Sequence, residues 1–314
     1  MCEEKAIEVV SGVFCGSGMD ELPGLEEVRT HSMVKLGEGN PYGQPSGRIV
    51  EGKLYGRKVL SMLRHGEGHV LSPSEVPYRA NVWAFKQRGV TQVLSVSAVG
   101  SLQEGIVPGH LVIPDQIIDR TKGIRPHTFF GGGIVAHASF GEPYCLDLRM
   151  GVLDAARRVA GVTTHNGGTL VCMEGPQFST RAESCLYRSW GADIIGMTVL
   201  PEAKLVREAG MCYATLALAT DYDAWREGHD AVTVDMVVEQ MKENSAMAVA
   251  VLCEFFKGTS WVVRCKCRQA LKDAIATNPD PRVLSPRDKT RYIDVYGRLK
   301  GIGGGYLPEL KREY

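Results

Sequence analysis

The run MCYATLALATDYD, residues 211–223, is apolar almost throughout and then closes on two aspartates. From Met211 to Thr220 it reads as a strand covered on both faces, because its aliphatic residues do not alternate with polar ones. Aspartate is rarely buried unpaired, so carboxylates at the exit of such a strand call for a local partner or a catalytic purpose. Taken alone, Asp221 and Asp223 are better explained by helix capping or surface charge.

Working outward, six further stretches have the same character: Ile7–Phe14, Lys58–Leu63, Gln92–Val99, His110–Ile118, Gly168–Met173 and Ala192–Met197. Helical patterns fill the gaps at Val76–Arg88, Asp147–Ala160, Thr180–Trp190, Pro201–Glu208 and Val234–Phe256. Thr180 with Glu183 three residues later predicts a capping box. In the last helix Val234, Val237, Val238, Met241, Ala248, Val251, Leu252 and Phe255 recur at helical spacing and mark a buried stripe. The alternation, with no internal repeat and no linker, predicts one α/β domain over residues 1–261.

The segment 262–314 differs, with 12 Lys/Arg against 6 Asp/Glu and a Gly303-Gly-Gly run. It reads as a basic helix, Arg268–Ala276, followed by an extended arm. Tyr292, Tyr296, Leu299, Tyr306 and Leu307 would dock that arm on the domain rather than leave it as a nucleic-acid tail.

Over the whole chain of 314 residues, 36 basic side chains balance 36 acidic ones, so no global field attracts nucleic acid or an anionic membrane. The longest apolar run, Ala246 to Cys253, is far short of the ~20 residues of a membrane span. The acidic N-terminus lacks the apolar core of a signal peptide. Nine cysteines without framework spacing suit reduced thiols in the cytoplasm, with the nucleus also open. Cys265-Lys-Cys267 has no second Cys or His pair near it in the chain, and reads as a surface coincidence.

Several strand ends carry small or polar residues. Cys15-Gly-Ser-Gly-Met19 is a turn whose N–H groups and Ser17 hydroxyl can hold an anion. It is neither a dinucleotide fingerprint, since Glu21 takes the place of the third glycine, nor a P-loop. Arg64-His-Gly-Glu-Gly-His69 offers a forked guanidinium suited to phosphate, with His65 as a second donor. The two intervening glycines argue against the helix that a His65–His69 metal pair would need, so no metal is expected. Ser97-Ala-Val-Gly-Ser101 lies where α/β sheets bind ligands. In Glu174-Gly-Pro-Gln-Phe-Ser179, Phe178 could stack on a base or fill the sheet edge.

In this order and spacing the motifs resemble the purine nucleoside phosphorylase superfamily, and within it the S-methyl-5′-thioadenosine phosphorylase branch. The resemblance runs from about Val10 to Trp261, and also takes in Ile118-Asp-Arg-Thr121, Trp190-Gly-Ala-Asp193, Met197-Thr198 and Pro201-Glu202. It implies a single domain with a central mixed sheet surrounded by helices. It implies a phosphate site at Ser17, Arg64, His65, Ser97, Ala98 and Thr198. It puts Met197 against the ribose, Phe178 at the purine, and Asp221 and Asp223 at the base edge. Ser179 and Val234 match positions that shape specificity, and His137 matches a residue reaching into a neighbour's 5′ pocket in a homotrimer. Gly196 stands where asparagine is common, the loop Phe130–Ile134 is richer in glycine than usual, and only Val283-Leu284 is similar to the family's closing tail.

The chemistry such a family performs explains these residue types. Phosphate attacks C1′ of a ribosyl cation-like state while the purine leaves, so the protein must fix the anion and protonate N7. Asp221 is the expected acid. A carboxylic acid at N7 with a carboxylate at the 6-amino group suits adenine, where an asparagine would suit a 6-oxopurine. The implied reaction is phosphorolysis of S-methyl-5′-thioadenosine, with phosphate as co-substrate and no cofactor. A broad-specificity or 6-oxopurine phosphorylase, a hydrolytic nucleosidase and a non-catalytic nucleoside-binding module are the competing readings.

Overall fold

A computed structural model of the protein describes residues 9–19, 22–226, 233–258 and 265–277. Eleven strands form one mixed sheet: β1 (Ser11–Cys15), β2 (Glu26–His31), β3 (Ile49–Leu54), β4 (Arg57–Leu63), β5 (Gln92–Ser101), β6 (Leu111–Ile113), β7 (Gln116–Arg120), β8 (Thr164–Asn166), β9 (Thr169–Met173), β10 (Ile194–Gly196) and β11 (Cys212–Asp221). The helices are α1 (Met33–Gly37), α2 (Tyr78–Gln87), α3 (Leu146–Arg158), α4 (Arg181–Ser189), α5 (Val199–Glu208) and α6 (Val234–Lys257).

The ten residues of β5 are the hub. Along one edge they pair in parallel with β11, and along the other with β1 and then, antiparallel, with β10. Successive side chains of a strand point to opposite faces, and both faces here are apolar. Val10 and Phe14 enter a core with Trp83 and Phe85 of α2 and Leu205 of α5. Val13 and Cys15 enter a second core with Leu148 of α3 and Phe255 of α6. That double burial explains the continuous aliphatic runs.

Several expectations are corrected. The run His110–Ile118 is two strands, β6 and β7, with Pro114 and Asp115 between them; proline has no N–H for a ladder. The antiparallel strands β2 and β3 were not legible; every residue of β2 except its last is exposed, so it carries no apolar run. The apolar stripe of α6 is buried from Met241 onward, but Val234 and Val238 are exposed. The helix expected at Arg268–Ala276 is a single 3-10 turn, Cys267–Gln269, followed by further turns. Residues 278–314, with Val283-Leu284 and the tyrosine anchors, lie outside the described residues. The capping box at α4 is present, with Thr180 and Glu183 exchanging side chain-to-backbone hydrogen bonds.

Cys265 and Cys267 are not a surface coincidence. Cys267 is buried, Cys265 half-buried, and both meet Cys145 at the start of α3 and Cys212 at the start of β11. The chain separation of 53 residues between Cys212 and Cys265 hid the cluster from any local pattern.

Candidate active site

The exits of β1, β4, β5, β10 and β11 open on a cavity of about 770 Å³. That volume lies within the range of small-molecule sites. Ser17, Arg64, His65, Ser97, Ala98, Thr198, Met197, Phe178, Asp221, Asp223 and Val234 all line it. Ser179 and His137 do not.

At one end Arg64 is 1% exposed and almost fully engaged. Its Nε donates to Glu202 Oε2 at 2.8 Å, Nη2 to Ser95 Oγ at 2.7 Å and to Glu202 Oε1 at 3.4 Å, and Nη1 to the Val96 carbonyl at 3.1 Å. A guanidinium carries five N–H groups, so one hydrogen on Nη1 remains. Nη1 runs alongside Gly16, where an added Cβ would press against both it and the Val96 carbonyl. The first glycine of Cys15-Gly-Ser-Gly is therefore set by close approach, which only glycine allows. Burial works against the Arg64 charge, and the Glu202 carboxylate more than offsets it, so the pKa stays above the ordinary value.

Glu202 also accepts from Tyr213 Oη at 2.8 Å. Glu202, Tyr213 and Ser95 were missed as site residues. A glutamate among the apolar residues Val199, Leu200 and Ala203 was the available signal, since such a charge needs a buried partner.

His65 is corrected in role. Its Nδ1 lies 2.8 Å from the Leu71 carbonyl, which can only accept, so Nδ1 carries the hydrogen and Nε2 is an acceptor. Burial, aided by the Arg64 charge, lowers its pKa to about 4, which keeps the ring neutral. It stacks on His69 with ring centroids 4.2 Å apart.

The Glu174-Gly-Pro motif proves to be a support. Arg125, 3% exposed, donates from Nε to Glu174 Oε1 at 2.8 Å and from Nη1 to the Met197 carbonyl at 2.6 Å. Burial opposes the Glu174 charge, but Ser74, the Lys122 N–H and Arg125 together hold its pKa below the usual value. This ion pair fixes the backbone that presents Met197 and Thr198 to the cavity.

At the other end no cation pairs with the carboxyls among the described residues. The β5–β11 register jumps between Ala219 and Asp221, and this bulge re-aims the strand exit at Gly100. A Cβ on Gly100 would stand 2.9 Å from Asp221 Oδ1, so the glycine leaves room for the acid. Asp221 Oδ1 accepts the Asp223 N–H and Oδ2 the Thr220 hydroxyl, both at 2.7 Å. Burial, with the neighbouring Asp223 charge adding to it, raises the Asp221 pKa to about 6. Asp223 holds a left-handed backbone, φ 48°, which aspartate tolerates better than most residues. Its own pKa is raised by burial, and Oδ2 has no hydrogen-bond partner among the described residues. Ser179 acts from behind the wall, its hydroxyl near the Asp223 carboxyl.

His137 is exposed on the loop that follows the glycine run, away from this chain's own cavity. Its backbone N–H donates to the Ala274 carbonyl at 2.7 Å. Among the described residues no helix is long and apolar enough to cross a membrane.

Comparison with known proteins gives the family. The sequence pattern of the Phosphorylase superfamily matches residues 11–257. The S-methyl-5′-thioadenosine phosphorylase of Geobacter sulfurreducens is 51% identical over 272 residues, 87% of this chain and 93% of that one. That of Koribacter versatilis is 50% identical over 282 residues, 90% and 94% of the two chains. Among solved structures, a methylthioadenosine phosphorylase from an antarctic soil metagenomic library superposes with TM-score 0.80 at 42% identity, covering 92% of this chain and 99% of its own. The Schistosoma mansoni enzyme in complex with adenine gives TM-score 0.73 at 37% identity, covering 80% and 91%.

Proposed function

We propose that this chain, which belongs to the Phosphorylase superfamily, catalyses the reversible phosphorolysis of S-methyl-5′-thioadenosine to adenine and 5-methylthioribose 1-phosphate. It is thus a pentosyltransferase, with inorganic phosphate as co-substrate and no cofactor. The observation that carries the reading is Asp221, a buried acid with a pKa of about 6 and no cation beside it among the described residues, facing the same cavity as Arg64.

Phosphate sits at the Arg64 end. The Arg64 charge is already offset by Glu202, so the anion is held mainly by the remaining Nη1 hydrogen and by Ser17, Ser97, Thr198 and the Ala98 backbone. His65 accepts a hydrogen bond at Nε2 from the P–O–H of monohydrogen phosphate, which keeps its proton, and the other oxygens are left free to face C1′. One phosphate oxygen bonds to C1′ as the C1′–N9 bond breaks, and the proton of Asp221 passes to N7. Met197 lies along the ribose and Phe178 on the purine face. Seating the purine expels water from Asp221 and raises its pKa further, which keeps the proton in place until it is needed. Asp223 accepts from the 6-amino group, which favours adenine over 6-oxopurines.

The active form is a homotrimer in which His137 reaches the 5′ pocket of a neighbour. Its exposure, and its absence from the lining of its own chain's cavity, support that role. The chain works in the cytoplasm or the nucleus, where nine cysteines without framework spacing suit a reducing medium. Adenine release from methylthioadenosine, adenosine and inosine, each with and without phosphate, tests the reading. Turnover without phosphate would make the chain a hydrolase, and inosine cleaved as fast as methylthioadenosine would refute the adenine preference.

A further inference from the structure

The four cysteines gathered behind the sheet have no part in that chemistry. Their sulfur atoms all lie within 4.8 Å of one another. Cys212 Sγ and Cys265 Sγ are 3.3 Å apart, far beyond the about 2.05 Å of a disulfide. Four sulfurs at ~2.3 Å from a tetrahedral metal would be about 3.8 Å apart, within the spread seen here. All four are free thiols, and they gather around one point.

The ligand set also has a sensible origin. Cys145 is the N-cap of α3, where unpaired backbone N–H groups favour a thiolate. Cys212 opens β11, on the same face as the core of α3 and α6. Cys265 and Cys267 stand two apart on a tight turn and can grip one ion together. Arg207 Nη1 approaches Cys267 Sγ at 3.9 Å, a positive charge where four thiolates around a divalent ion would leave a net negative one.

We infer that Cys145, Cys212, Cys265 and Cys267 form a structural zinc site, closed to substrate, that staples the chain beyond α6 to the sheet. Four thiolates in a tetrahedron are a closed set with no open position for catalysis. The staple has something to hold. Just past Cys267, Leu271 and Ala274 enter the core of α2 and α5. Ile275 bridges Ala136, and the Ala276 N–H donates to the Val135 carbonyl at 2.9 Å. The ion would thereby fix the strip of chain on which the His137 loop rests, whatever reaction the cavity performs.

The test uses the full chain, purified under reducing conditions after growth with added zinc. Elemental analysis should find one zinc per chain, and C265S/C267S should lose it. C185S, which removes an exposed cysteine on α4, should keep it. Exchange into cobalt should give the ligand-field and sulfur charge-transfer bands of a tetrahedral thiolate complex, absent in the double variant. Chelator should lower the melting temperature of the wild type and leave that of C265S/C267S unchanged. A wild-type chain with no bound zinc, metal retained by C265S/C267S, or non-reducing peptide mapping that joins these cysteines in disulfides would each overturn the site.

Discussion

The two ends of the cavity treat charge in opposite ways. At one end Arg64 is neutralised by Glu202, which is itself held by Tyr213, and nearly every donor is used. At the other end Asp221 and Asp223 lie side by side with only neutral donors around them among the described residues, and both are pushed toward the protonated state. A compensated charge keeps its geometry whether or not ligand is present, because removing either partner strands the other. An uncompensated carboxyl stays ready to give and take a proton, at a cost in stability. One end is built for position, the other for reactivity.

The largest expected effect tests that division directly. Asp221→Asn should slow methylthioadenosine cleavage by ~10²–10⁴-fold, the range for losing a general acid. The same change should stabilise the empty protein above pH 6, since the rise from 3.8 to about 6 corresponds to a destabilisation of up to roughly 3 kcal/mol when Asp221 is ionised. Steady-state kinetics and urea unfolding at pH 8 measure both. A variant that is slow and also less stable would mean that Asp221 supports the fold.

Arg64→Ala should behave in the contrary way and lose both. It strands Glu202, which costs roughly 3–5 kcal/mol of stability, and it raises the phosphate KM more than the nucleoside KM. Unchanged phosphate saturation would move the anion site elsewhere.

The pH profile sharpens the contrast without mutation. The folded pKa of Asp221 is raised, so its proton-linked stability is full below 3.8 and is lost as pH rises through about 6. With phosphate saturating, kcat/KM for the nucleoside should hold below about 6 and fall as pH rises through and beyond that value, and Asp221→Asn should remove that limb. His65, held at about 4, should add no titration above that value. A profile flat from below about 6 to well above it would remove Asp221 as the acid.

The smallest effect lies outside both ends. His137→Ala should raise the methylthioadenosine KM about fivefold, from the loss of roughly 1 kcal/mol of contact, and leave the phosphate KM unchanged. Adenosine should be affected less. Light scattering should give a mass three times the 34.3 kDa of one chain. A fully active monomer would end the shared-pocket reading.

Much of this was present in the sequence because its cause is local. An aliphatic run without alternation, as in Cys212–Asp221, must be buried on both sides, and that held for β1, β4, β5, β6 and β11, though not for the half-buried β7. The capping box at Thr180 and the two aspartates at a strand exit are equally short-range signals. Strand β2 escaped because an exposed edge strand has no such run. What no local pattern carries is who becomes whose neighbour. Arg64 and Glu202 are 138 residues apart, and only the joining of β4 and α5 around β5 makes them a pair. The tautomer of His65 depends on the Leu71 carbonyl six residues away across a turn, and the acidity of Asp221 on a bulge opposite Gly100. Four cysteines spread from 145 to 267 converge because α3, β11 and the tail share one face. Residue type and spacing determined which chemistry was possible; burial and long-range pairing decided which groups stay charged, which stay neutral and which act together.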